Sequence, residues 1–306
     1  MIHSVTITNH LEKSIKLELT NPEKSGFIVL DITGIGASKA DINTAELSNS
    51  DGSIYTSARA NSRNIVFNLQ AYPTGYQTVE DIRLLSYKYF PVKKKIKIVF
   101  ETENRICEIY GYVESNEPGI FSKEVTMQIS VICPDPYFYS SGDTSITTTT
   151  FYGVDPMFEF PFSNESLTEN LIEFGKIKNE TEQVIYYEGD SEIGVIIKIK
   201  ALGDVSSLTI YDMQTQKTMS IHDDKMISLT GSKIKYGDEI IISTVVGEKK
   251  ITLFRDGLYT NIINCLERDA YWFQLFPGDN LFAYTTTYGI ENLQFSIDNL
   301  TKYEGV

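Results

Sequence analysis

Short runs in which apolar and polar residues alternate, cut by Gly-, Asp-, Asn- or Pro-bearing turns, recur along nearly the whole chain. Ile15, Leu17 and Leu19 form one such run and Ile65, Phe67 and Leu69 another, and Ile2, Val5 and Ile7 come close to the same period. A period of two places alternate side chains on opposite faces of a pleated backbone, so it specifies strands and is incompatible with a helical stripe. The 19 Tyr and 16 Phe against a single Trp suit this reading, because large rings pack well on a half-buried sheet. The spacing predicts a mainly β protein.

In the first half, Asn9-His10-Leu11-Glu12 separates two alternating runs, as in a hairpin or meander. Gly26–Leu30 reads as a strand before the turn-prone Gly34-Ile35-Gly36, and the polar stretch Ala40–Asn49 leads into an Asp51-Gly52 turn. One helix is expected. Thr78 offers an N-cap, Glu80 and Asp81 fall in the first turn, Val79, Ile82, Leu85 and Tyr89 recur at helical spacing, and Pro91 ends residues 79–90. Lys94–Phe100, Arg105–Val113 and Glu124–Cys133 follow as strands, the last closed by Cys133-Pro134-Asp135-Pro136.

The second half repeats short strands at Gln183–Tyr187, Val195–Lys200, Leu208–Tyr211, Met226–Leu229, Glu239–Ser243 and Lys250–Phe254, and Phe158, Phe160 and Phe162 alternate before them. Its turns carry Gly189, Gly203, Gly237, Gly247 and Gly257, a spacing that reads as a β-sandwich or jelly roll. Its nearest approach to a helix is Asn261–Leu266. A chain of 306 residues favours two domains, with a short ordered linker after Ser140, giving 1–140 and 141–306. Charge divides at the same place: the first part holds 14 Lys+Arg against 16 Asp+Glu, the second 13 against 25. The overall charge of −14 argues against a nucleic-acid partner. No apolar run is long enough for a membrane helix, and the opening MIHSVTITNH lacks a basic-then-apolar leader. The scattered Cys107, Cys133 and Cys265 suit a reducing compartment without disulfides.

Candidate chemistry is sparse. The only histidines are His3, His10 and His222, no Gly-x-Ser-x-Gly elbow occurs, and Cys107 and Cys133 lie in apolar strands, so no nucleophilic triad is expected. His222-Asp223-Asp224 offers metal-ligand types, but adjacent residues rarely converge on one ion, and a solvated turn is the simpler reading. The Gly-Asp turns lack the alternating acids of a calcium loop. Paired-carboxylate hydrolysis cannot be placed among 25 acids. Lys93-Lys94-Lys95 is a solvated strand face by default and a contact to an acidic neighbouring subunit in the sharper reading. Tyr271 and Trp272 would stack on a sugar if exposed, although the run Tyr271–Phe276 is apolar on both faces and favours burial.

Several of these stretches, taken in order, resemble the siphophage distal tail protein family (Dit). The first half is similar in Asp51-Gly52-Ser53-Ile54-Tyr55, Arg63-Asn64-Ile65-Val66-Phe67, the helix with Ile82-Arg83-Leu84-Leu85 and the closing Cys133-Pro134-Asp135-Pro136-Tyr137-Phe138. The second half is similar in Lys235-Tyr236-Gly237-Asp238-Glu239-Ile240-Ile241-Ile242 and Trp272-Phe273-Gln274-Leu275-Phe276-Pro277-Gly278-Asp279-Asn280. The resemblance implies a tail-tube-like, ring-forming N-terminal β domain with one α-helix, followed by a galectin-like β-sandwich. It further implies a structural virion protein without enzymatic activity or cofactor, made in the host cytoplasm and placed at the distal end of the tail. A homohexameric ring would there join the tail tube protein and tape-measure protein to the tail-associated lysin or hub, and in many phages to a receptor-binding protein. Asp51, Gly52, Tyr55, Arg59, Arg63 and Lys93, Lys94 and Lys95 are the expected ring contacts. A carbohydrate-binding module stacking host glycans on Tyr271 and Trp272 is the alternative function.

Overall fold

The computed structural model describes every residue except 49–50, 76, 122–123, 143–144 and 157–174, so the expected alternation at Phe158–Phe162 lies outside the described residues. The chain divides into two compact units, Met1–Ser145 with Lys302–Val306, and Ile146–Thr301. The protein is mainly β, and among the described residues none of the sheets is closed.

The first unit contains β1 (Ile2–Thr8), β2 (Ser14–Glu18), β3 (Phe27–Thr33), β4 (Ala40–Glu46), β5 (Ser53–Ala60), β6 (Arg63–Ala71), α1 (Val79–Tyr89), β7 (Lys95–Thr102), β8 (Ile106–Pro118), β9 (Thr126–Cys133) and β10 (Phe138–Ser140). Its main sheet runs β2-β1-β7-β8-β9-β6-β3, and β10 lies between β8 and a two-residue strand, Lys302–Tyr303. Each alternating run buries one face. Val5 and Ile7, Ile96, Ile98 and Phe100, Ile65, Phe67 and Leu69, and Met127, Ile129 and Val131 form one core. α1 covers that core with Ile82, and Phe90 at its C-terminus meets Phe67 at a ring distance of 5.6 Å. Its start is locked by a capping box in which the Asp81 amide donates to the Thr78 hydroxyl and the Thr78 amide donates to the Asp81 carboxylate. The opposite face of the sheet is held by polar pairs, among them Lys16 with Glu101 at 2.8 Å and Lys97 with Glu108 at 2.6 Å.

The second unit contains β11 (Ile146–Thr150), β12 (Tyr152–Pro156), β13 (Gly175–Asn179), β14 (Glu182–Tyr187), β15 (Ile193–Gly194), β16 (Ile196–Ala201), β17 (Thr209–Asp212), β18 (Lys217–Ser220), α2 (Asp223–Thr230), β19 (Glu239–Ser243), β20 (Lys250–Arg255), β21 (Leu258–Asn261), β22 (Gln274–Leu275), β23 (Gly278–Thr285) and β24 (Leu293–Leu300). A six-stranded sheet, β11-β24-β16-β19-β20-β21, and a four-stranded sheet, β14-β23-β17-β18, supply its core. Tyr284 of the smaller sheet stacks on Phe295 of the larger at 4.9 Å and 14°, and Phe151 contacts both rings. Ring contacts of this kind join two sheets into a sandwich.

The expected strand at Met226–Leu229 and the expected turn at His222-Asp223-Asp224 are corrected by α2. Asp223 and Asp224 occupy its first turn, where the helix dipole favours them, and Gly231 closes it in the left-handed conformation at φ 82°. Only Met226 is buried, so the segment shows no apolar stripe from which a helix could be recognised.

Candidate functional site

β4 and β5 form a hairpin that stands apart from the main sheet; among the described residues they pair only with each other. Every residue of both strands is exposed. Ile42 is 65% exposed, Ile54 53% and Tyr55 63%. A lone two-stranded ribbon is marginally stable in water, and its free edges present a ladder of donors and acceptors to any incoming strand. The polar part is internally satisfied: Asn43 donates to Ser57 at 3.0 Å, and Arg59 lies 3.8 Å from Asp41. The apolar part has no cover within the described chain.

Four of the eight residues expected at a ring contact gather here. Gly52 turns the chain at φ 93° beside Asp51, while Tyr55 and Arg59 project from β5. Arg63 is different. It is 5% exposed, at the root of the hairpin, where its guanidinium donates to four main-chain carbonyls. Nε reaches Pro136 at 2.6 Å, Nη2 reaches Glu304 at 2.6 Å, and Nη1 is shared by Gly34, at 2.7 Å, and Gly36. The guanidinium also lies 4.6 Å from the Phe138 ring centre. Burial lowers its pKa, yet a guanidinium starts far enough above neutrality to remain charged.

Lys93 and Lys94 lie elsewhere, in the turn between α1 and β7, and Lys95 opens β7. The Lys93 amide donates to Val113 at 2.8 Å, which pins that turn to β8 and leaves the three side chains exposed. The Lys95 ammonium sits 4.4 Å from the Tyr110 ring centre. Burial would lower the pKa of neighbouring Lys97, but its hydrogen bond and charge pairing with Glu108 carry it upward.

Tyr271 and Trp272 belong to the second unit and are half-buried, whereas Phe273 and Leu275 are buried. One lysine lies over each ring: Lys217 is 4.0 Å from the Tyr271 centre and Lys249 is 5.6 Å from that of Trp272. A sugar stacking there would compete with an ammonium for the ring face.

Two residues of the recognised stretches act inside the fold. The Asp238 carboxylate, 1% exposed, takes a two-pronged pair from Arg255, with Nε at 2.8 Å and Nη2 at 2.5 Å. Arg255 then ties this turn to the end of α2 through Thr230 and Ser232. Asn280 accepts from the Phe276 amide and donates to the Phe276, Gly278 and Ile185 carbonyls. Burial raises the thiols of Cys107 to about 11 and Cys133 to about 12, which disfavours their nucleophilic forms. Among the described residues, no three His, Cys, Asp or Glu side chains are placed to hold a metal ion.

No family model matches this sequence, and no curated protein matches it with significance. Solved structures do. The SPP1 Dit (gp 19.1) protein, described as a paradigm of hub adsorption apparatus in phages that infect Gram-positive bacteria, is 13% identical, with 97% of this chain and 98% of that one covered at a TM-score of 0.66. A chain of the phage P2 baseplate in its activated conformation with calcium is 12% identical over 100% of both chains, at a TM-score of 0.49. The two units of this chain, in this order, therefore have the fold of SPP1 Dit.

Proposed function

We propose that the chain is a distal tail protein of a siphophage: a structural component of the tail tip, placed at the end of the tail, whose first unit closes a homohexameric ring. The observation that carries this reading is the fold shared with SPP1 Dit along essentially the full length of both chains. The hairpin supplies the physical counterpart, a ribbon whose apolar residues and strand edges are uncovered among the described residues. Contacts that run head to tail around an axis generate a closed ring when the rotation closes. In this role Asp51, Gly52, Tyr55 and Arg59 face a neighbouring copy. Arg63 contributes by fixing the hairpin root, and Lys93 to Lys95 meet an acidic neighbouring surface.

The galectin-like sandwich is a docking module in this reading. The ring joins tail tube and tape-measure proteins to the lysin or hub and to receptor-binding proteins, and it has no catalytic part. Stacking of a host glycan on Tyr271 and Trp272 is the second proposal, favoured only in that both rings reach the surface of the second unit. Gold-labelled antibody against the purified chain, applied to particles from the producing strain, tests the placement. Label at the tail end opposite the head is expected. Label distributed along the tail or confined to the head would overturn it.

A further inference from the structure

The root of the hairpin is built from three parts of the chain that are far apart in sequence. Residues 34–39 lead into β4, Asn61 and Ser62 lead out of β5, and Lys302–Val306 returns to this unit after the whole of the second. Lys302 and Tyr303 pair with β10, and the Val306 amide donates to the Ile35 carbonyl at 3.0 Å. Gly305 packs so closely on the hairpin root that a Cβ there would stand 3.2 Å from the Gly36 carbonyl carbon and from the Ile35 oxygen. Side chains fasten the returning segment on both sides: Arg105 lies 4.6 Å from the Tyr303 ring centre and Lys302 lies 3.7 Å from that of Tyr137. Arg63 joins all three parts, because one guanidinium donates to Gly34 and Gly36 before β4, to Pro136 before β10, and to Glu304 of the returning segment.

We propose that Arg63 is a positioning residue for assembly: together with Lys302–Val306 it sets the direction in which the β4–β5 hairpin leaves the first unit. The hairpin's own contacts cannot do this, since none of its residues is buried against the main sheet. A planar fork that satisfies separated carbonyls fixes their relative positions, and a lysine in its place, a single compact ammonium, cannot span them. The consequence is that the segment following the second unit helps present a surface in the first. A chain interrupted within Lys302–Val306 would keep both cores and lose a defined hairpin orientation. This inference rests on the ring reading only for its consequence in assembly; the hairpin orientation is a property of the single protomer.

The test places spin labels at Thr56→Cys on the hairpin and Thr126→Cys on the main sheet, both exposed positions, in the full-length chain. The distance distribution between them is measured at a dilution where the protein is monomeric. Arg63→Lys and Gly305→Val are then introduced separately, one altering the fork and the other wedging the returning segment from the other side. Each is expected to broaden the distribution at least twofold while the far-ultraviolet spectrum and cooperative unfolding persist. If Arg63→Lys fails to fold, Gly305→Val decides alone. An unchanged distribution in a folded variant overturns the proposal. A wild-type chain that never self-associates would instead overturn the ring, and the label distances would still report on the root.

Discussion

Arg63 and Asp238 show how charge is used inside this protein. Arg63 is held by four main-chain carbonyls and the Phe138 ring, with no side-chain carboxylate hydrogen-bonded to it among the described residues, whereas Asp238 is balanced by a bidentate guanidinium. Removing one partner of a buried pair strands the other, so Asp238→Ala should cost roughly 3 kcal/mol in urea unfolding. Asp238→Asn, which keeps an acceptor, should cost less. Surface pairs behave differently. Glu101 is held below the ordinary carboxylate range by the Lys16 hydrogen bond first and by Ser4 second. A depressed carboxylate adds stability that is present above its unfolded value of about 4.3 and fades as pH falls through the lower folded value. Both side chains are nearly half exposed, so a double-mutant cycle on Lys16 and Glu101 should give under about 1 kcal/mol at pH 7 and approach zero at acid pH. The thiols test the absence of nucleophilic chemistry at these positions. Cys107, Cys133 and Cys265 are buried and raised, so a thiol reagent at pH 8 should label none in the native chain and all three in urea. At this scale the sequence named Asp51, Tyr55 and Arg59 as ring contacts, and the protomer leaves all three exposed; it also made the stretches around Asp238 and Asn280 recognisable. It did not reveal that Asp238 and Asn280 act inward, because their partners Arg255 and Ile185 come from other strands.

Among the elements, the strands of β6, β7 and β9 were readable where one face is buried and the other is wet, and Ile65, Phe67 and Leu69 are the inner residues that the alternation in β6 marks. α1 was equally legible, since cap, first-turn acids and apolar spacing agree. Several elements escaped: β23 and β24 did so although they alternate buried and open positions, whereas α2 and β4 carry little or no burial. α2 buries one side chain, and β4 reads as a polar stretch because both of its faces are exposed. A strand without a buried face has no alternation to display, and the same exposure suits the interface role proposed for it. Ile42→Asp with Tyr55→Asp should therefore leave the unfolding free energy of the protomer within about 0.5 kcal/mol of the parent. Self-association measured by sedimentation velocity should be abolished. Loss of stability without loss of association would remove the hairpin from the interface.

For the whole molecule, the uneven charge is compatible with the proposed ring: a nearly neutral part would tolerate close repetition, and a strongly acidic one would tolerate solvent. The order of β runs and turns made the mainly β class and the likeness to distal tail proteins legible, and the fold shared with SPP1 Dit agrees with both. The return of Lys302–Val306 to the first unit was not legible, because a two-residue strand has no period and its partner β10 lies some 160 positions earlier. The central claim is that this protomer assembles into a ring, and its mass in solution tests that most directly. Light scattering on the purified chain across a wide concentration range should approach a limiting mass about six times the 34.6 kDa protomer. A chain that remains at protomer mass at every concentration, and also when mixed with its tail-tube and hub partners, would contradict the account.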